Sequence, residues 1–181
     1  FLHERPGTYV LPEEKQMEDV VVSGVAFNRT EAKIAIKGVP DRPGIAAEVF
    51  GRIGARGIVV DMIVQNVAQD GRNDISFTVT RADFAAAKTV AEELAQEVGA
   101  TGVIGDATIA KVSAVGVGMR SHANVAARMF KALAEKNINI DMISTSEIKI
   151  SCLIAEKDLD EAVSAIHRAF EGDARPTMNQ D

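Results

Sequence analysis

Residues 38–47 carry residue types that suit the binding of a free amino acid. They read Gly-Val-Pro-Asp-Arg-Pro-Gly-Ile-Ala-Ala and lie between a β-rich run and a run with helical spacing. Pro43 suits an early helical position, and the small residues after it leave the backbone amides of the helix start uncrowded. These amides and the helix dipole favour a carboxylate, while Asp41 beside them could hold an ammonium group. An Asp that caps the helix in an ordinary tight turn is the alternative interpretation.

A second segment, residues 116–126, occupies the equivalent place later in the chain. Its Gly-Val-Gly start lacks the third glycine and the parallel βαβ unit of a dinucleotide-binding fingerprint. Ser121 is explained as a helix cap, and His122 as a polar neighbour of the turn. The sequence shows no nucleophile with a positioned base and no metal-ligand spacing, so it favours binding over catalysis or metal chemistry.

The two segments belong to an internal repeat. Residues 46–63 and 126–143 align without gaps, and seven of the eighteen positions are identical; about one identity is expected by chance. The similarity continues at a smaller offset, because the first copy has the longer hairpin, around Asp70 and Gly71. Two copies of one unit therefore follow each other.

The pattern of each copy predicts a β-rich run, an amphipathic helix, two strands and a second helix. The predicted N-cap of this second helix is Asp83 in the first copy and Asp158 in the second. The predicted strands of the first copy are 33–37, 58–66, 74–80 and 102–106, and those of the second are 109–117, 138–145 and 148–155. Four strands and two helices in this order form the ferredoxin-like βαββαβ sandwich. The fold class is therefore α+β, with antiparallel sheets that carry their helices on one face.

The second copy lacks the final strand that the first copy has. An unassigned β-rich run at 20–27 precedes the first copy, and we expect it to complete the second sheet, so that the first domain is inserted into the second. An edge strand of the first sheet is the alternative for this run. The predicted limits are 1–18 for a connector from an upstream domain, 30–106 for the first domain, 19–29 plus 107–172 for the second, and 173–181 for a disordered tail.

Composition excludes several function classes. The 181 residues include seven Phe, one Tyr and no Trp, and 20 Lys and Arg stand against 26 Asp and Glu, a net charge of −6. Neither the charge nor the aromatic content suits nucleic acid or an anionic membrane, and an RNA-recognition domain of this topology would display rings on its third strand. Cys152, the single cysteine, is predicted to lie in the core and excludes a disulfide within the chain. Without a membrane-length apolar run, a cytoplasmic protein is expected.

Several motifs in order carry a resemblance to a known family. They are Val-Ser-Gly-Val-Ala-Phe at 22–27, Gly-Val-Pro-Asp-Arg-Pro-Gly at 38–44, Gly-Met-Arg-Ser-His at 118–122 and Ile-Ser-Thr-Ser-Glu-Ile at 143–148. The chain resembles the regulatory part of aspartokinases, in which two tandem ACT domains bind end-product amino acids. The Lys-Phe-Gly-Gly motif of that family's kinase domain is absent, so no catalytic residue and no cofactor is expected in this chain; ATP and Mg would belong to the kinase domain.

The resemblance implies a homodimer through the ACT domains, a kinase domain or α subunit as partner, and threonine, lysine or both as ligands. It implies feedback inhibition of aspartate phosphorylation in lysine, threonine and methionine biosynthesis, by a β subunit or an excised regulatory segment. A separate amino-acid sensor with a different output is the alternative.

Two ligand sites at the ACT interfaces follow from the same resemblance. The first would be lined by Asp41, Arg42, Pro43, Gly44, Ile45, Ala46, Val59, Val60, Asp61 and Gln65, with Asn139 and Ile140 of the partner subunit. The second would be lined by Met119, Ser121, His122, Val125, Ala126, Asp141, Ser146 and Glu147. The family usually has Pro-Gly after the Ser-His pair, where this chain has Ala123 and Asn124. The second pocket is therefore expected to be tighter, altered or empty.

Overall fold

The structure, a computed structural model, describes residues 22–66, 70–116 and 124–171. In these ranges the chain forms eight strands and four helices. They are β1 Gly24–Asn28, β2 Glu31–Pro40, α1 Ile45–Ala55, β3 Val60–Gln65, β4 Arg72–Thr80, α2 Phe84–Glu97, β5 Gly102–Asp106, β6 Ile109–Val115, α3 Val125–Ala134, β7 Met142–Thr145, β8 Lys149–Ala155 and α4 Leu159–Phe170. The predicted connector 1–18 and tail 173–181 lie outside the described residues.

The strands form two four-stranded antiparallel sheets, in the orders β3-β4-β2-β5 and β1-β6-β8-β7. Strand β1 pairs with β6, from Gly24 opposite Val115 to Asn28 opposite Lys111. Strand β1 thus completes the second sheet, and the insertion of the first domain into the second is confirmed. The alternative, an edge strand of the first sheet, is wrong.

The alternation of residues along the strands shows where the two hydrophobic cores lie. In β2, Ala32, Ile34 and Ile36 are fully buried under α1 and α2. The residues between them face the other side of the sheet, as the two-residue period of a strand requires. Helix α1 buries Ile45 and Ile53 in the same core. Burial of a side chain of this size contributes about 1.5–3 kcal/mol. The second domain repeats the arrangement with α3 and α4.

The two predicted N-cap residues lie directly before their helices but do not cap them. Asp83 precedes α2 and Asp158 precedes α4, yet both have helical backbone angles and neither makes a side-chain capping hydrogen bond. The Asp83 carboxylate instead accepts the hydroxyl of Thr80 at 2.7 Å. A capping side chain requires an extended backbone at its own position, which these residues do not have.

The faces of the sheets that carry no helices pack against each other between the domains. Met62 from the first sheet and Ile109, Met142 and Leu153 from the second form a separate buried cluster. We call this contact the interdomain interface. The four residues of this cluster are therefore buried although they lie on the faces of the sheets that carry no helices.

Ion pairs related by the repeat border the interdomain interface. Lys33 of β2 donates to the Asp141 carboxylate, and Lys111, its counterpart on β6, donates to Asp61, the counterpart of Asp141. The two pairs thus link the domains reciprocally. A third pair joins Arg81 to Glu156 at 3.1 Å, two residues that also occupy equivalent places in the repeat. The two domains are therefore related by an approximate twofold axis.

Cys152 lies on β8 in the second core, as predicted, and burial raises the pKa of its thiol to about 12. The thiolate is the reactive form, so at pH 8 almost none of the folded chain should react. We expect a water-soluble disulfide reagent to modify Cys152 at least about a hundredfold more slowly in the native chain than in denaturant. Rapid stoichiometric labelling of the native chain would contradict this placement.

Candidate functional site

A β-bulge in β2 positions the loop that forms the first predicted site. The pairing of β2 with β4 is irregular between Ile36 and Val39, where Gly38 has a φ of 62°. The Asp74 carboxylate accepts the Gly38 N–H at 2.9 Å and also bonds Lys37. These two contacts, the one from Lys37 above all, lower the pKa of Asp74 below its usual value. Asp74 thereby holds the bulge at the glycine and at the residue before it.

Asp41 follows the bulge and is oriented by the neighbouring hairpin. Its backbone N–H donates to the Gly71 carbonyl at 2.8 Å. Its carboxylate accepts the side-chain amide of Asn73 at 3.1 Å, and Asn73 is only 4% exposed. The carboxylate itself stays accessible at the surface. Asp41 is thus a fixed negative charge on an open loop.

Helix α1 begins four residues beyond Asp41. Gly44 occupies the N-cap position with φ 90° and ψ −11°, and no side chain caps this end. The first backbone N–H groups of a helix have no partner within the helix, so this end offers donors to an anion. Ile45 is buried in the core and Ala46 half-buried, so these residues line the site with backbone rather than with side chains. The fixed carboxylate and the anion-favouring helix start match the two charges of a free amino acid.

Arg42 and Pro43 are exposed on the same loop. The Arg42 guanidinium donates to Glu48 at 2.8 Å, a contact that raises the pKa of Arg42 and lowers that of Glu48. Glu48 lies in the first turn of α1, where a negative charge is favourable. This ion pair therefore holds the Arg42 side chain against the first turn of α1.

The predicted strand residues of the first site lie at a free sheet edge. Val59 is 72% exposed just before β3, Val60 is half-buried, and Gln65 is exposed at the end of the strand. Gly57, with a φ of 72°, turns the chain from α1 into this strand, and Asn137 does the same with a φ of 55° before β7. Asparagine and glycine are the two residues that tolerate this conformation best.

Asn139 and Ile140 precede β7, the corresponding edge of the second sheet. Asn139 is exposed and Ile140 is half-buried. In one chain they belong to a different sheet from Asp41. Ile140 borders a cleft of about 300 Å³ between the domains, which is also lined by Val64, Asn66, Ser76, Asp141, Met142 and Ile143.

Asp61 and Asp141 each have a lysine partner from the other domain. Lys111 bonds Asp61 and Lys33 bonds Asp141, so both carboxylates take part in the interdomain interface. Both carboxylates therefore have a structural role in the interdomain interface, and their places in the first and second ligand sites stay predictions.

The second predicted site is described only in part. Met119, Ser121 and His122 lie outside the described residues. Val125 is buried and Ala126 half-buried at the start of α3, and Ser146 closes the turn after β7 by donating its N–H to the Lys149 carbonyl at 2.8 Å. Glu147 is exposed in the same turn. Asn124, at the N-cap, has a φ of −96°, so this helix start differs from the left-handed one at Gly44.

Asn73 is the residue of the first site that sequence reasoning missed. It stands on β4 in the register that otherwise holds Ile75, Phe77 and Val79, all fully buried apolar residues. A polar residue in the buried register of a strand was the available signal.

Within the described residues, no group of three or more His, Cys, Asp and Glu side chains could hold a metal ion. No helix in those ranges is long and apolar enough to cross a membrane.

Comparison with known proteins identifies both domains. The ACT domain family matches residues 34–99 and again residues 112–170. An aspartate kinase of Stutzerimonas stutzeri is 59% identical over 172 residues, which are 94% of this chain and 42% of that protein. The aspartokinase of Mycobacterium tuberculosis H37Rv is 45% identical over 181 residues, covering 97% of this chain and 43% of its own length. The chain thus spans less than half the length of these relatives.

Two solved structures match over nearly their whole length. The ligand-free regulatory subunit of aspartate kinase from Thermus thermophilus is 43% identical with a TM-score of 0.79, and 83% of this chain covers 99% of it. A chain from a structure of aspartokinase α and β subunits is 49% identical with a TM-score of 0.78 and the same coverage. These matches favour an aspartokinase over a sensor with a different output. The chain belongs to the family of aspartokinase regulatory regions, which are built from two tandem ACT domains.

Proposed function

We propose that this chain senses an end-product amino acid and thereby inhibits the phosphorylation of aspartate by an aspartate kinase. The observation that carries the proposal is the loop of the first site. There the Asp41 carboxylate, fixed by Asn73, lies beside the uncapped start of α1. The carboxylate is suited to an α-ammonium group and the helix start to an α-carboxylate. Threonine and lysine are the proposed ligands.

A second copy of the chain would complete the site. Ile63 on β3 is 52% exposed and Ile143, its counterpart on β7, is 43% exposed, and both strands are sheet edges. Exposed edges with apolar side chains favour pairing with another chain. Side-by-side pairing of ACT domains would bring Asn139 and Ile140 of the partner subunit to the loop at Asp41. The homodimer is thus part of the proposal.

The second site would use the start of α3 and the turn at 146–149 in the same way. Because its helix start differs from that of the first site, we expect it to bind more weakly or not at all.

Inhibition would follow from thermodynamic linkage, in which the ligand stabilises one state of the protein, and not from a reaction catalysed by this chain. A ligand that binds only the paired state stabilises that state by about 2.7 kcal/mol per site when its concentration is a hundred times Kd. The paired state would hold the catalytic domain, or the α subunit, in an inactive arrangement. By reciprocity, substrates that favour the active state would weaken ligand binding. ATP and Mg would bind in the catalytic part, and the enzyme would work in the cytoplasm.

The test is sedimentation of the 181-residue chain with and without each aspartate-family amino acid. We expect threonine or lysine to strengthen self-association. Asp41→Ala should weaken ligand binding about ten- to a hundredfold, because it removes a hydrogen bond to a charged group. Asp160→Ala is the matched control, since Asp160 is 86% exposed and pairs with Arg29 away from the loop. An association constant that no aspartate-family amino acid changes would refute the proposed function.

A further inference from the structure

Asn73 is a buried amide at a position built for an apolar side chain. It faces the core of the first domain opposite Val39, which is fully buried, and it is itself 4% exposed. An amide in such surroundings is unfavourable unless both its donor and its acceptor are hydrogen-bonded.

Only the donor of this amide is bonded within the described part of the chain. The Asn73 Nδ2 donates to Asp41 Oδ1 at 3.1 Å, whereas Oδ1 is buried and has no hydrogen-bond partner there. An ionised carboxylate only accepts hydrogen bonds, so Nδ2 is the atom that faces Asp41, and Oδ1 is the atom that remains without a partner. A buried acceptor is thus left for a donor that the chain itself does not supply.

The repeat shows that the fold does not require this amide. The counterpart of Asn73 in the second copy is Ile148, and the counterpart of Asp41 is Met119. Ile148 is 56% exposed beside a hairpin of the same topology. The polar pair therefore belongs to the first copy alone, where the loop also has its left-handed glycine at the helix start.

We propose that Asn73 is a specificity-determining residue of the first site, whose Oδ1 accepts a hydrogen bond from the α-ammonium group of the bound amino acid. Asp41 and Asn73 together then surround the ammonium with a carboxylate and a carbonyl oxygen, and the helix start takes the carboxylate. Met119 and Ile148 offer the second copy neither group. Tight binding of an amino acid is thereby confined to the first domain. This inference rests on the proposed function and adds the residue that selects the site.

The variant Asn73→Leu tests whether the Asn73 amide serves ligand binding or only the stability of the fold. Leucine has the same branching at Cγ as asparagine, though a larger volume, and removes the unpaired acceptor from the core. If Oδ1 serves the ligand, the affinity for threonine or lysine, measured by calorimetry on the 181-residue chain, falls about ten- to a hundredfold. Thermal stability without ligand stays equal or rises, because an unsatisfied buried polar atom has been lost.

Two further variants complete the experiment. Ile148→Leu makes a change at the equivalent place in the second copy and should alter neither affinity nor stability. Asn73→Ala provides a smaller side chain if leucine prevents folding, and it should lose affinity to a similar extent.

The outcomes distinguish the two proposals. An unmodified chain that binds no aspartate-family amino acid overturns the proposed function and the role of Asn73 with it. Binding to the unmodified chain that Asn73→Leu and Asn73→Ala leave unchanged overturns the role of Asn73 alone. A loss of stability with unchanged affinity would assign Asn73 to the fold.

Discussion

Replacing Lys111 by methionine is expected to lower the free energy of unfolding by about 3 kcal/mol. The Lys111 ammonium donates to Glu31 at 2.6 Å and to Asp61, and the Glu31 side chain is only 6% exposed. Without the lysine, the Glu31 carboxylate would be left in the interdomain interface with the neutral amide of Asn28 as its remaining partner, at 3.2 Å. A buried charge that loses its counter-charge accounts for the large effect.

The pH dependence of this contribution follows from the pKa of Lys111. Burial alone would lower that pKa, but the hydrogen bonds to Asp61 and Glu31 outweigh it, and the pKa is raised above the ordinary 10.5. A raised pKa means that the stabilisation is complete below the ordinary value and is lost only as the pH rises through the raised one. The effect of Lys111→Met should therefore be constant across neutral pH and shrink only in strong alkali.

Lys33→Met is the matched control, because the repeat places Lys33 where Lys111 stands. Its partner Asp141 is 37% exposed and can be solvated when the lysine is gone. We expect a loss below about 1 kcal/mol. Adding Glu31→Gln to Lys111→Met should recover much of the larger loss, since it removes the stranded charge. Denaturant unfolding measures all four proteins, and equal losses for the two lysine variants would contradict the explanation.

The repeat is the reason why so much of the fold follows from the sequence. Two copies of one unit, of which the second lacks a strand, leave β1 only one sheet to complete. The strand limits were less accurate: the predicted strands 58–66 and 138–145 begin later, at Val60 and Met142. Ile58 and Ile138 are buried before their strands begin, directly after the left-handed residues Gly57 and Asn137. The two residues thus pack into the cores without taking part in strand pairing, which the apolar pattern alone does not distinguish.

The interdomain interface could not be predicted in the same way. The family resemblance places Asp61 and Asp141 in ligand sites, but in the structure each pairs with a lysine, and these partners lie 50 and 108 positions away in the sequence. Local pattern contains no information about such a partner, because it depends on how two finished sheets pack. The loop at Asp41 was recognisable because its chemistry is local, whereas the amide that fixes it comes from another strand.

Gly38→Ala is expected to lower the free energy of unfolding by about 3 kcal/mol, through strain and overpacking together. Gly38 has a φ of 62°, and an added Cβ would lie 2.7 Å from both Cγ2 and Oγ1 of Thr101. The threonine cannot turn aside freely, since its hydroxyl donates to the Lys37 carbonyl at 2.9 Å. The bulge would have to open to accept the methyl group.

Gly54→Ala provides a control of opposite sign. Gly54 lies in α1 with no atom within 4 Å of an added Cβ, so alanine there should stabilise the helix by up to about 1 kcal/mol. Thr101→Ala in the Gly38→Ala background should relieve the clash but not the backbone strain, and so restore part of the loss. Because the bulge positions Asp41, Gly38→Ala should also weaken amino-acid binding, whereas a chain destabilised elsewhere to the same extent should bind normally once folded. A Gly38→Ala chain as stable as the unmodified one would show that β2 can straighten, and the bulge would then not be what holds the loop.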